Sequence, residues 1–262
     1  MSLSDTLATT PFFPYYKLPR VQVIAHRGFG DEYPENTVRA AREAAKVADA
    51  VELDVRRCGS GELVACHWDN VELITDGRGD VTDLSATELA DLRVADSDWG
   101  IPLLTEVLEV IPPEVDLNLE IKGSGVVADL LALLDGVENE VVISSLHPDP
   151  LWRTRMLDES IPLAFNFGVR PDANFLTAEA IGVEYANPHW SLCFLTDLVE
   201  SAHEVGMAVH AWPVATRPLA WALERRGVDG LIATRPLGRS ARRDRNDRDE
   251  SESTEVTDAR TS

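Results

Sequence analysis

The chain reads as an α/β protein, a TIM-type (β/α)8 barrel with a β-hairpin after its second strand. Three observations predict this. Nine short β-rich runs recur along it, most of them continuously apolar, as in parallel strands covered on both faces. Helical stretches lie between many of the runs. One junction, RRCGSG between Val55 and Glu62, holds only six residues, and a parallel crossover takes a dozen or more. That junction must be a hairpin. Removing its returning arm leaves eight runs, the number of strands in a TIM barrel.

In chain order the runs are VQVIAH (21–26), AVELDV (50–55), the hairpin arm ELVACH (62–67), VDLNLEI (115–121), EVVISS (140–145), PLAFNF (162–167), VEYANP (183–188), MAVHAWPV (207–214) and DGLIAT (229–234). ENTVRAAREAAKV (35–47) carries apolar residues at helical spacing on one side, with Asn36 a candidate cap. PLLTEVLEVI, GVVADLLALLDG and LTDLVESAHEVG read likewise. Residues 68–101 form a small insertion between hairpin and next helix. Within it TDLSATELADL has a helix start, with Ser85 as cap and Glu88 three residues on. The barrel domain is expected over 20–237. Residues 1–19 are a lead-in whose Phe12, Phe13, Tyr15 and Tyr16 pack on it. From Gly238 one large aliphatic residue, Val256, stands among many charges. That tail, 238–262, buries too little apolar surface to offset its ordering entropy and is expected to be disordered.

Of the 262 residues 44% are hydrophobic, enough for a full core, and the formal net charge is -21 with a pI near 4.6. Such a surface repels nucleic acid and anionic headgroups, so a substrate phosphate needs local positive charge or a metal. Three of the 24 basic residues are lysines, Lys17, Lys46 and Lys122. Two origins fit that bias: a halophilic protein of a high-salt cytoplasm, or a GC-rich genome combined with an acidic tail. Cys58, Cys66 and Cys193 lack metal-site spacing and suit reduced thiols. The N-terminus lacks a basic start followed by an apolar run, and no 18-residue apolar stretch exists. A cytoplasmic enzyme or binding protein without a membrane span is expected.

Active sites of such barrels lie at the C-terminal strand ends. There the chain places His26 and Arg27, Glu52 and Asp54, Glu120 and Lys122, and Trp212. His67 ends the hairpin arm, which returns it to the same mouth. Glu52 and Asp54, two apart, share a strand face. Adjacent carboxylates inside a barrel are costly to keep ionised. Either a divalent cation relieves them, Mg2+ or Ca2+ by the oxygen-only donors, or Arg56 or Arg57 pairs with them. Glu120 is a third oxygen donor. Two histidines suit the proton transfers of phosphodiester cleavage, and Arg27 and Lys122 suit phosphate oxygens. His147 and His189 sit near the mouth or only support turns. His203 and His210 read as surface-helix and strand residues, and Trp152, Trp190 and Trp221 as packing.

VIAHRG, YPENT, VELDV, VACH and LEIK, then AWPV and GVDGLIATRP, together resemble the glycerophosphodiester phosphodiesterase family over residues 20–237. The resemblance implies metal-dependent hydrolysis of a small-molecule glycerophosphodiester to glycerol phosphate and an alcohol. It makes His26 and His67 the acid–base pair, and Glu52, Asp54 and Glu120 the metal ligands. Arg27 and Lys122 become phosphate and active-site cations, Trp212 a wall of the substrate pocket, and Glu35 and Asn36 shapers of the mouth. Lysophospholipid or phosphoinositide-type substrates, or a barrel that binds diesters without cleaving them, are the alternatives. Three departures stand out. The usual His-Asp reads His67-Trp68-Asp69, an Arg-Thr-Thr run is absent, and Thr-Asp before proline reads Thr234-Arg235-Pro236.

Of the two origins, the halophilic one predicts stability that rises with salt, because the Debye length shrinks from ~30 Å at 0.01 M to ~3 Å at 1 M. Thermal melts in dilute buffer and in molar KCl check this. An unmoved midpoint speaks for base composition instead.

Overall fold

The computed structural model describes residues 21–238 except Ser124. The lead-in and, beyond Gly238, the charged tail lie outside the described residues. Nine strands fall where the runs predict: β1 (Gln22–Ala25), β2 (Ala50–Arg57), β3 (Leu63–Ala65), β4 (Asp116–Ile121), β5 (Val141–Ser145), β6 (Leu163–Phe167), β7 (Tyr185–Pro188), β8 (Ala208–Val214) and β9 (Gly230–Ala233). The helices are α1 (Val38–Ala44), α2 (Ala86–Asp91), α3 (Leu104–Leu108), α4 (Val127–Leu134), α5 (Pro148–Leu157), α6 (Pro171–Ile181), α7 (Leu192–Leu195), α8 (Leu198–Glu204) and α9 (Arg217–Arg226). The sheet order β1-β9-β8-β7-β6-β5-β4-β2 closes by a β1–β2 pairing into an eight-stranded parallel TIM barrel.

The hairpin is present because β2 outruns β1. The shorter strand covers β2 only at Ala50 and Val51. Beyond them β3 pairs antiparallel with β2, Val55 opposite Ala65 and Arg57 opposite Leu63. Leu63 and Ala65 belong to the main core, Val64 and Cys66 to a second one built by the insertion around Val71, Val81, Leu89 and Ile101. The expected capping box starts α2: Ser85 Oγ accepts from the Glu88 N–H, and the Glu88 carboxylate accepts from the Ser85 N–H. The three thiols are free and buried, and burial pushes Cys66 and Cys193 up to about 12.

The main core lies between strands and helices. Val51, Leu53 and Val55 of β2 face it with Leu117, Leu119 and Ile121 of β4. The alternate residues face the lumen, and these are largely polar. Ser144 donates to Asn118 at 2.7 Å and Asn187 to Asn166 at 2.8 Å. Ile24, Ala50 and Ile232, with Trp212 against them, make a thin apolar plug. Below it, a floor cavity of about 200 Å³ is lined by Gln22, Asp116, Tyr185 and His210. The His210 ring packs against Tyr185 at 4.6 Å and over Gly230, where a Cβ would lie 2.5 Å from its Cδ2.

Two tryptophans depart from the packing reading. Trp152 and Trp221 are 42% and 61% exposed, Trp221 with Arg225 over its ring. Trp190 does pack on the core. His203 is tied to Asp229 at 2.8 Å.

Burial lowers the His210 imidazole to about 4. The folded protein keeps it neutral where the unfolded chain, titrating near 6.5, is protonated. Below pH 6.5 the unfolded state therefore binds more protons, and stability falls with pH, by about 3 kcal/mol from this group at pH 4. Urea unfolding at pH 7 and pH 4 is expected to show a shallower loss in His210→Asn than in the parent chain.

Candidate active site

β1 ends in a turn, His26-Arg27-Gly28, that runs left-handed through Arg27, Gly28 and Phe29 (φ 53°, 73° and 67°). Gly28 is required here. A Cβ would stand 2.7 Å from the backbone of Ala40, since the turn rests on the start of α1. The turn aims the Arg27 N–H at Glu52 Oε2 (2.7 Å) and sets His26 Nε2 4.0 Å from the same oxygen. The Arg27 guanidinium lies between Glu35 (3.0 Å) and Asp54 (3.3 Å).

β2 and β4 run in register, Glu52 beside Asn118 and Asp54 beside Glu120, so the inward positions stack their carboxylates. Glu52, Asp54 and Glu120 each offer an oxygen within 4.8 Å of the others. Asn36 completes this wall. It donates to Asp54 Oδ2 at 2.8 Å, and its Oδ1 accepts the Asp54 N–H at 3.0 Å. It is therefore no cap: Thr37 caps α1, its Oγ1 accepting from the Ala40 N–H. Nor do Arg56 and Arg57 neutralise the carboxylates, as one reading of the sequence has it. Arg57 pairs with Asp129. Arg56 donates twice to the His67 carbonyl, at 3.0 and 2.7 Å, and pairs with Asp69. The cations that meet the carboxylates are Arg27 and Lys122. Lys122 Nζ lies 3.1 Å from Asp54 and also bonds Glu120.

His67 settles over the mouth with Nδ1 3.3 Å from Asp54 Oδ1. The displaced Asp69 does not touch the ring. It acts on the far side, through Arg56, while Trp68 stands edge-on to His67 at 4.7 Å. The Thr234-Arg235 departure also finds a partner, since both side chains donate to Asp31.

The charges divide the groups. Burial works against ionised Asp54, but the His67 hydrogen bond, Lys122 and Arg27 outweigh it and hold the carboxyl below its usual range. Glu52 is pushed well above that range by burial and by Asp54 and Glu120. Burial also raises Glu120, against the pull of Lys122. Lys122 and Arg27 stay charged because the carboxylates outweigh their own desolvation. Burial, then Arg27, lowers His26 to about 3.

One cavity of about 190 Å³ gathers His26, Arg27, Glu52, His67, Glu120, Lys122 and Trp212. Asp54 is fully buried behind them. Asn118, Asn166 and Leu146 also line it and escaped the sequence reading. Asn118, two residues before Glu120 on the same strand face, was open to a period-two argument. His147 is exposed at the N-terminus of α5 and makes no capping bond there. His189 holds Ser191 at 2.8 Å and stands edge-on to Trp212.

Residues 26–237 match the glycerophosphoryl diester phosphodiesterase family. The chain belongs to that family. A glycerophosphodiester phosphodiesterase of Caldanaerobacter subterraneus is 31% identical over 232 residues, covering 82% of this chain and 94% of its own. One from Bacillus altitudinis is 30% identical over 241 residues, covering 82% and 95%. Among solved structures, an Oleispira antarctica phosphodiesterase in complex with its product sn-glycerol-3-phosphate superimposes with a TM-score of 0.76. It is 27% identical, over 82% of this chain and 93% of that one. Family membership makes this chain a phosphoric diester hydrolase.

Asn36 has φ 56°, a left-handed conformation that Asn adopts at lower cost than Ala. Asn36→Ala adds that strain to the loss of two buried bonds to Asp54. It is expected to destabilise the fold by about 3 kcal/mol in urea unfolding.

Proposed function

We propose that this phosphodiesterase hydrolyses glycerophosphodiesters to glycerol phosphate and an alcohol, with a divalent cation at Glu52, Asp54 and Glu120 and with His26 and His67 as base and acid. The observation that carries the reading is the single cavity in which both histidines, both cations and two of the three carboxylates meet. The glycerol phosphate held by the Oleispira relative supports the same product here.

The acidic group fits a hard cation. All three donors are carboxylates, and Glu52 Oε1 is buried without a hydrogen-bond partner. Glu52 and Glu120 carry raised pKa values that nearby positive charge reverses. Oxygen-only donors select Mg2+ or Ca2+. When bound, such an ion polarises a phosphoryl oxygen and offsets the negative charge of the transition state.

Arg27 and Lys122, kept charged by their carboxylate neighbours, bind the non-bridging phosphate oxygens. His26, in the cavity beside Glu52, takes the proton of the attacking hydroxyl as its oxygen bonds to phosphorus; where that hydroxyl is the adjacent glycerol's and not water's, the cyclic phosphate formed is then opened by water with the two histidines exchanging roles. His67 is oriented through Nδ1 by Asp54. Its other ring nitrogen gives a proton to the departing alkoxide as the second P–O bond breaks. Trp212 closes one wall of the cavity.

Turnover of glycerophosphocholine with Mg2+ or Ca2+, before and after chelation, tests the reading. Glu52→Gln is expected to lower metal affinity and turnover at least about tenfold. His26→Ala and His67→Ala each lose several orders of magnitude and the double variant little more, because the pair acts as a unit. Undiminished activity after exhaustive chelation removes the cation from the reaction. Near-full turnover in either histidine variant removes the acid–base pair.

A further inference from the structure

The mouth of the barrel is lopsided. Ionised groups stand over β1, β2 and β4. Over β5 to β8 the strand ends add exposed apolar side chains, beside His147 and Arg170. Leu146, Val169 and Phe194 are 42%, 68% and 39% exposed. Leu146 and Trp212 line the reaction cavity itself. From there a chain of rings runs outward. Trp212 meets His189 edge-on at 5.6 Å, His189 meets Trp190 at 5.3 Å, and Trp190 meets Phe194 at 6.3 Å. His189 Nδ1 is already taken by Ser191. Gly168 puts no side chain between the track and the cavity, and a Cβ there would already touch His189 and Trp212 at 3.7 and 3.9 Å.

Size decides what lies on the track. The cavity of about 190 Å³ falls below the roughly 300–1,000 Å³ of pockets that enclose drug-sized ligands. It has room for a phosphate and a three-carbon polyol. The second alcohol of any diester must leave the cavity and lie across the rim. A contiguous apolar surface running out of a reaction cavity marks a binding surface.

We infer that the leaving alcohol carries a hydrocarbon chain, which lies along Leu146, Trp212, Trp190 and Phe194, so that the favoured substrates are glycerophosphodiesters of single-chain apolar alcohols. The inference rests on the diesterase reading above. The net charge of -21 opposes contact with an anionic bilayer, so the chain is taken from a dissolved monomer.

The test is kcat/KM for sn-glycerol-3-phosphate esterified to methanol, butanol, hexanol and octanol, each below its micelle concentration, with glycerophosphocholine as the polar comparison. The expected rise is about twofold per added methylene, the share of the transfer free energy that a half-buried chain recovers. It should come mainly through KM, with the octyl ester well ahead of glycerophosphocholine. Leu146→Ser and Phe194→Ser should each flatten the octyl-to-methyl ratio. Trp221→Ser, an equally apolar loss on the outer face of α9, should leave that ratio intact. Equal kcat/KM along the series, a preference for the choline ester, or an unchanged ratio in both rim variants overturns the inference while the diesterase reading stands. Absence of turnover on every ester, methyl and choline included, overturns both.

Discussion

Negative charge confined in a narrow lumen governs this structure. Glu52, Asp54 and Glu120 converge at the upper end of the barrel, Asp54 fully buried and the other two nearly so at the edge of the cavity. Each raises the proton affinity of the others. The surrounding elements answer that repulsion at Asp54, which draws the Asn36 amide, the Arg27 guanidinium, the Lys122 ammonium and the His67 ring. Asp54 thereby ties together the left-handed turn after β1 through Arg27, the buried Asn36 in the same conformation, and the hairpin through His67.

The barrel was legible from the sequence because its strands are continuous apolar runs and because one junction was too short for anything but a hairpin. The site was legible from alternation along β2 and from strand ends that put His26, Glu120 and Trp212 at one mouth. The partners of these residues were harder to see. Asn36 and Thr37 are equally good caps by chemistry. Asp54, eighteen residues on, decides between them by claiming the asparagine. Arg56 had the alternation to join Glu52 and Asp54, but it sits where β2 leaves the barrel for the hairpin, and the acceptors there are Asp69 and the His67 carbonyl. Tertiary neighbours made those choices, and local pattern does not record them. The surface tryptophans misled for a related reason, since residue type alone does not report exposure.

The lumen departs from the apolar filling common to this architecture. Its middle is a plug of Ile24, Ala50 and Ile232, with hydrogen-bonded Asn and Ser beside it. Asn118 lines both the upper cavity and the floor cavity. Polar groups facing inward are tolerable because neighbouring strands pair them, and the apolar share of the core is carried outside the strands, against the helices. The cavity at the mouth thus rests on a polar layer held in fixed register by β2, β4 and β5.

β3 is a seam. Its odd-numbered residues serve the barrel and its even-numbered ones the separate core of the insertion, and His67 continues the odd series. Two packing problems are thereby uncoupled along one short strand. A change in the packing of the insertion falls on the even side of the strand and on the approach to the mouth around Trp68. The histidine it delivers stays anchored on the other side of the strand.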